Sequence, residues 1–258
     1  MDSKHITFYS QQNLNICLIG DVHECVDELD LLLKQIPNDY LIYLIGDWID
    51  KNNNTAELLD YLYEYNLTAN RFLLLGNHED FVYRNLNNPN YNIEKDTGAV
   101  HFPSLKFLLA NKEYADKFNF LYESAYNFIE VLDSENKPLL YSSHSLCKKE
   151  HLGKTDPKSI IAMKKIRFSW NKPILDQLDW FYEEADINEP IHVFGHINVG
   201  KDNFTYLNKI SIDQGCVEGG YLTACLFNTS DVKNMKFIHQ PNLKITKHIR
   251  SFPLVESN

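Results

Sequence analysis

The chain is expected to fold as an α/β domain, and three observations carry that expectation. Apolar runs at residues 14–19, 40–45 and 72–75 have the continuous hydrophobicity of strands buried on both faces. Segments of helical periodicity separate them. Each run also ends at a glycine followed by metal-ligand residue types: Gly20-Asp21-Val22-His23, Gly46-Asp47-Trp48-Ile49-Asp50 and Gly76-Asn77-His78-Glu79. Strands in β-α-β-α-β order lie parallel with helical crossovers, and open sheets bind ligands outside the carboxyl ends of their strands.

Residues 26–36 put Leu29, Leu32, Leu33 and Ile36 on one helical face, and Pro37 stops that helix. Thr55 reads as the cap of a second helix, with Leu58, Leu59, Leu62 and Tyr63 on one face. A third helix should begin near Glu79. Residues 85–101, rich in Asn, Pro and Tyr, read as an irregular insertion or lid near the site, and residues 103–117 as helical. Later segments are strand-like: 126–132, 138–143, 191–194, 209–213, 222–228 and 236–239. There is no internal repeat. Ligand-type segments span residues 21 to 196, so one domain over residues 1–240 is expected, with a C-terminal extension at 241–258.

The 258 residues are 44% hydrophobic, ample for one buried core, and carry a formal net charge of -10. That charge argues against nucleic acid as a partner, because phosphate backbones need clustered Lys and Arg. Five cysteines at scattered spacings, with no CxxC pair, read as reduced and mostly buried thiols. No signal-peptide core or membrane-length apolar stretch is present, so a cytoplasmic protein without a membrane partner is expected.

Two further segments, Ser143-His144 and Gly195-His196, add imidazoles. Hard oxygen ligands (Asp21, Asp47, Asn77) mixed with His23, His144 and His196 suit a pair of divalent first-row ions. Two such ions can supply an activated water and neutralise phosphoryl charge. Asp47, central in the order, is the natural bridge; Asp21 and His23 would serve one ion, and Asn77, His144 and His196 the other. His78 directly follows a ligand and should point elsewhere, as a general acid, with Asp50 to hold its imidazole protonated and oriented. His5, His101, His151, His192, His239 and His248 read as structural.

These residues resemble the calcineurin-like metallophosphoesterases, within them the phosphoprotein-phosphatase branch, whose GDxH, GDxxD, GNH, H and GH blocks they match in order. The segment Ile212-Asp213-Gln214-Gly215 with Gly219-Gly220-Tyr221-Leu222-Thr223 resembles that family's IDTGxxxGGxLT block, and Trp170-Asn171-Lys172 resembles a W-N/D-R segment of the bacteriophage lambda enzyme. The resemblance implies a four-layer sandwich of two mixed β-sheets flanked by helices, with a dinuclear site at the sheet edge. It also implies Mn²⁺, or else Fe or Zn, and direct attack by a metal-bridging hydroxide without a phosphoenzyme.

Departures from the pattern bear on the substrate. Glu24 replaces the glycine after the first histidine and is expected to place a carboxylate beside the metals. Lys51, Leu75 and Lys172 stand where protein phosphatases carry phosphate-binding arginines, and Lys cannot make the planar two-point contact of Arg. Asn77, Lys51, Lys172 and Arg167 are the candidate phosphate contacts, and Arg71 and Arg84 could also compensate. The function expected first is a phosphoprotein phosphatase acting on phosphorylated Ser/Thr, or Tyr. The alternative is a symmetrical diadenosine tetraphosphatase or related nucleotide pyrophosphohydrolase, whose bacterial members share the Leu75 residue. A non-catalytic binding module ranks third, because every ligand and His78 are retained.

Overall fold

A computed structural model describes residues 4–166, 179–198 and 204–244. One sheet has the order β1-β5-β6-β7-β9-β8: β1 (His5–Tyr9), β5 (Phe128–Leu132), β6 (Pro138–Ser145), β7 (Ile191–Gly195), β9 (Lys209–Ser211) and β8 (Phe204–Tyr206). The other has the order β10-β11-β2-β3-β4: β10 (Asp213–Gln214), β11 (Tyr221–Asn228), β2 (Asn15–Ile19), β3 (Tyr40–Leu44) and β4 (Arg71–Leu73), with β12 (Asp231–Pro241) also paired to β11. We call them the first and second sheets. Both mix parallel and antiparallel pairs; β2, β3 and β4 are mutually parallel, as the β-α-β-α-β order requires.

The sheets pack face to face, and helices cover both outer faces. Alternation along each strand shows why. In β2, Ile16 and Leu18 enter the core between the sheets with Tyr43, Ile45, Leu74, Ile129, Val131, Leu140 and Val193. Cys17 and Ile19 point the other way, into a core shared with α1 (Val26–Leu33), α2 (Thr55–Asn66), α4 (Pro103–Ala110) and α5 (Lys112–Ser124). Successive strand residues face opposite sides, so a strand buried on both faces must be apolar throughout. Beyond the first sheet, α6 (Pro157–Lys164) and α7 (Asp179–Glu184) contribute Met163 and Phe181 to two smaller clusters. The fold is thus a four-layer α/β sandwich of two mixed sheets flanked by helices, as the family resemblance implies.

Several local expectations change. Thr55 is the first residue of α2, not its cap, and its hydroxyl donates to Glu24 instead. The helical stretch 103–117 is two helices, broken at extended Asn111. The third helix, α3 (Asn77–Leu86), starts two residues before Glu79. All five cysteines are buried and unbridged. β12 runs through Pro241, and the Asn242 side chain donates to the Cys216 carbonyl (2.8 Å). Among the described residues no helix is long and apolar enough to cross a membrane.

Candidate metal centre

The chain passes from one sheet to the other at Ile212, between β9 and β10. At that crossing the carboxyl ends of β2, β3, β6 and β7 converge, and the loops leaving them carry the polar residues. His23, Asp47, Asp50, Lys51 and His196 all hold positive φ, which non-glycine residues adopt only where their surroundings impose it. His144 lies where β6 shifts register against β7, between the Ser143–Phe194 and Ser145–Gly195 pairs. A bulge re-aims a side chain in this way. Glycines before the ligands give other ligands room. A Cβ on Gly76 would overlap Asp47 Oδ1, and one on Gly195 would overlap Asp21 Oδ1.

Ligand atoms of His23, Asp47 and His78 lie within 4.8 Å of one another, and so do those of Asp47, His144 and His196. Asp47 belongs to both groups. Its Oδ2 is 3.8 Å from His23 Nε2, and its Oδ1 is 3.2 Å from His144 Nε2. Asp21 Oδ2 is 4.0 Å from His23 Nε2, and its carboxylate accepts the His196 backbone N–H at 3.1 Å. Asn77 Oδ1 is 3.3 Å from His144 Nε2. All six predicted ligands therefore meet around one shared carboxylate.

The outer atoms of the imidazoles are tied in ways that fix their aim. His23 Nδ1 is 2.9 Å from the Ile49 carbonyl, and His144 Nδ1 is 3.2 Å from that of Ile45. Each would donate there and turn Nε2 inward, the arrangement metal-ligating histidines require. Electrostatics agree. Burial, then neighbouring Asp213, raises the Asp21 carboxyl well above its usual range. Burial opposes ionisation of Asp47, but His144 and His78 outweigh it and hold its carboxyl low. Burial would depress His144, yet Asp47 and Asp21 push it up to about 9. Three buried carboxylates crowded among imidazoles make a strong cation site, and the mixed O/N donors fit divalent first-row ions.

His78 is oriented differently. Its Nδ1 is 2.8 Å from Asp50 Oδ2, and its backbone N–H donates to Asp47 Oδ1 at 3.0 Å. Burial would lower the imidazole's pKa, but Asp47 and Asp50 raise it. Phe102 packs beside the ring at 4.8 Å and is itself stacked on Phe81. The segment expected as a lid thus leads into a wall beside His78.

Two further carboxylates, Glu79 and Glu24, hold this framework. Glu79 accepts backbone N–H bonds from Asp47 (2.9 Å), Trp48 (2.8 Å), Ile49 (3.2 Å) and Gly76 (2.8 Å). Glu24 is not beside the metal cluster as expected. It is fully buried and accepts from Asp50 N, Asn54 N, Thr55 Oγ1 and Ser104 Oγ. Ser104, at the start of α4, donates its N–H to Asp50 Oδ1 at 2.9 Å. Unpaired N–H groups and the helix dipole favour an anion there. The signal for Glu79 was its place three residues after Gly76; for Ser104, Pro103 marking a helix start.

Of the candidate phosphate contacts, Asn77 lies at the centre. Lys51 is exposed, and its charge bears on His23, His78 and Asp213. Lys172 and Arg167, with Trp170 and Asn171, lie outside the described residues. Leu75 is packed in the helix-side core. Arg71 opens β4 at the end away from the site and lies over the Tyr65 ring at 5.1 Å. Arg84 pairs with Asp80 at 2.7 Å on an exposed turn of α3.

Comparison with known proteins agrees with this geometry. The model of the calcineurin-like phosphoesterases matches residues 14–221. The chain is similar to the asymmetrical bis(5'-nucleosyl)-tetraphosphatase PrpE of Anoxybacillus flavithermus, 25% identical over 80% of this chain and 88% of that one. It is also similar to the symmetrical bis(5'-nucleosyl)-tetraphosphatase of Buchnera aphidicola, 23% identical over 88% and 98%. Among solved structures, a protein provisionally assigned as a diadenosine tetraphosphatase superposes with TM-score 0.61 at 16% identity, covering 93% of this chain and 98% of its own. A serine/threonine phosphatase from Saccharomyces cerevisiae superposes with TM-score 0.56 at 13% identity, covering 93% and 84%, and shares the fold. With the family match spanning most of the chain and the metal-type residues gathered at the sheet edge, the protein belongs to the calcineurin-like phosphoesterases and is a metal-dependent phosphoester hydrolase.

Proposed function

We propose that the protein hydrolyses dinucleoside polyphosphates of the diadenosine tetraphosphate type, rather than the phosphoproteins first expected. Similarity to tetraphosphatases over four-fifths of the chain carries this reading. Leu75, buried where a protein phosphatase would hold an arginine toward phosphate, supports it.

In this reading Asp21, His23 and Asp47 would hold one divalent ion, and Asp47, Asn77, His144 and His196 the other. Mn²⁺ is the first choice. When bound, such ions activate a water and neutralise charge on the phosphoryl oxygens. The Asn77 amide and the Lys51 ammonium orient the phosphate chain. His78 donates Nδ1–H to Asp50, and the Asp47 and Asp50 carboxylates favour the imidazolium, whose second proton, on Nε2, goes to the leaving oxygen. Ser104 and Glu24 hold Asp50 so that the imidazole keeps its aim. A leaving nucleotide phosphate is a weaker base than a serine alkoxide, so it needs that proton less.

The test is a substrate panel with Mn²⁺-loaded protein: diadenosine tetraphosphate, p-nitrophenyl phosphate and phosphoserine peptides, with nucleotide products resolved by chromatography. Diadenosine tetraphosphate should show the highest kcat/KM. Cleavage of phosphopeptides with the dinucleotide left intact would overturn the reading.

A further inference from the structure

On the outer face of the first sheet, remote from the metal centre, a polar row crosses the strands. Register pairs Thr7 with Glu130, Glu130 with Tyr141, Tyr141 with His192, His192 with Lys209, and Lys209 with Tyr206. Leu140, Val193 and Ile210, one residue along, fill the core between the sheets, so the row points outward. It lies three or four residues upstream of His144, His196 and Asp213, roughly 10–13 Å back along the strands at about 3.3 Å per residue.

Above it lies a cavity of about 270 Å³ lined by Tyr141, Lys149, Leu152, Glu184, Glu189 and Lys209, among others. Lys209 is 1% exposed. It lines this cavity, and among the described residues its ammonium makes no hydrogen bond and no close ion pair, with Glu184 and Glu189 favouring its charge only from farther off. Lys149 is already taken by Glu189, and Glu184 accepts the Lys149 backbone N–H. Beside Lys209, His192 Nε2 is bonded to Ser143 Oγ, but its Nδ1 is buried with no partner. A buried ammonium without a partner is costly, and a second stranded polar atom next to it adds to the cost. Burial correspondingly lowers the Lys209 pKa.

We infer that this cavity is a second ligand site, which takes a small monocarboxylate. The carboxylate would pair with Lys209, and its apolar body would lie against Leu152, Pro138 and Pro190. Lys149 and Glu189 neutralise each other, so a single carboxylate can take the hydrogen bonds of the Lys209 ammonium, while a second negative charge would meet Glu184 and Glu189. That disfavours a multiply charged phosphate.

Sodium butyrate is the probe, with sodium chloride of equal ionic strength and inorganic phosphate as the comparison arms. Butyrate should raise the Tm of the metal-loaded protein by about 3 °C at ten times its dissociation constant. Lys209→Met should abolish the rise while leaving phosphoester hydrolysis unchanged. A crystal soaked in butyrate should show the carboxylate at Lys209, which decides the matter even if the variant folds poorly. No rise in the wild type, an equal rise in Lys209→Met, or a larger Lys209-dependent rise with phosphate would each overturn the inference.

Discussion

The two sides of the metal centre are built unequally. Around His23, His78 and Asp50 the polar atoms are wired several deep: His78 to Asp50, Asp50 to Ser104 and Glu24, Glu24 to Thr55 and Asn54, and Glu79 to four backbone donors. Around His144 and His196 the support is thin. His144 has the Ile45 carbonyl behind it, and His196 has its imidazole on the Ile166 carbonyl and its backbone tied to Asp21. The dense side is made of loops and helix starts, where many backbone N–H groups must find acceptors. The sparse side is made of strand ends, whose backbone is already paired in the first sheet. Loop-built sites therefore need buried carboxylates that strand-built sites do without.

Asp47 is the point where the comparison collapses, because both groups of ligand atoms share it. Asp47→Ala should abolish bound metal, measured by elemental analysis, and cut turnover by roughly 10³-fold or more, since one preorganised electrostatic stabiliser is alone worth about 10²–10³-fold. An Asp47→Ala protein that keeps two equivalents of metal would refute a shared carboxylate. His78→Ala should cost about 10²–10⁴-fold on a phosphoserine peptide, the range for a positioned general acid. The loss should be smaller on diadenosine tetraphosphate and should leave metal content unchanged. Metal loss in that variant would make His78 a ligand, a role its closeness to His23 and Asp47 permits.

Dense and sparse sides should then separate in stability. Glu79→Ala strands four buried N–H groups, and at about 1 kcal/mol or more for each the metal-free protein should lose at least about 4 kcal/mol in urea unfolding. His196→Ala strands one carbonyl, that of Ile166, so it should cost the metal-free protein no more than about 1 kcal/mol, while weakening metal binding. If both variants unfolded alike, the contrast in wiring would have no energetic meaning.

What the sequence made legible follows the same division. Strands buried on both faces write their own signal, so β2, β3, β4 and β7 are visible as apolar runs, and the ligand-type residues just beyond them as breaks. β1 escaped because His5 and Thr7, on the face that carries Glu130, interrupt its apolar pattern. Support residues were less legible. Glu24 is next to a ligand in sequence, but the left-handed backbone at His23 and Glu24 turns its side chain into the Asp50 loop. Arg71 precedes Gly76 by only five residues, yet a strand lies between them and puts it at the wrong end. Lys172 and Arg167 stand outside the described residues, and of the predicted phosphate contacts the structure places Asn77 and Lys51.

The glycines before the ligands have a consequence for tolerance to change. Gly20 rests directly on the Ile212 carbonyl, Gly76 on the Asp47 carboxylate and Gly195 on that of Asp21. The spacing between the segments that carry the ligands is therefore gauged by backbone and ligand atoms in direct contact, with no core side chain between them. Rewriting the hydrophobic layers behind the sheets changes what fills the sandwich without changing this gauge. A chain built this way can drift through most of its interior and keep the same few ångströms between its metal-holding atoms, whereas one methyl group at any of the three glycines would pry the segments apart.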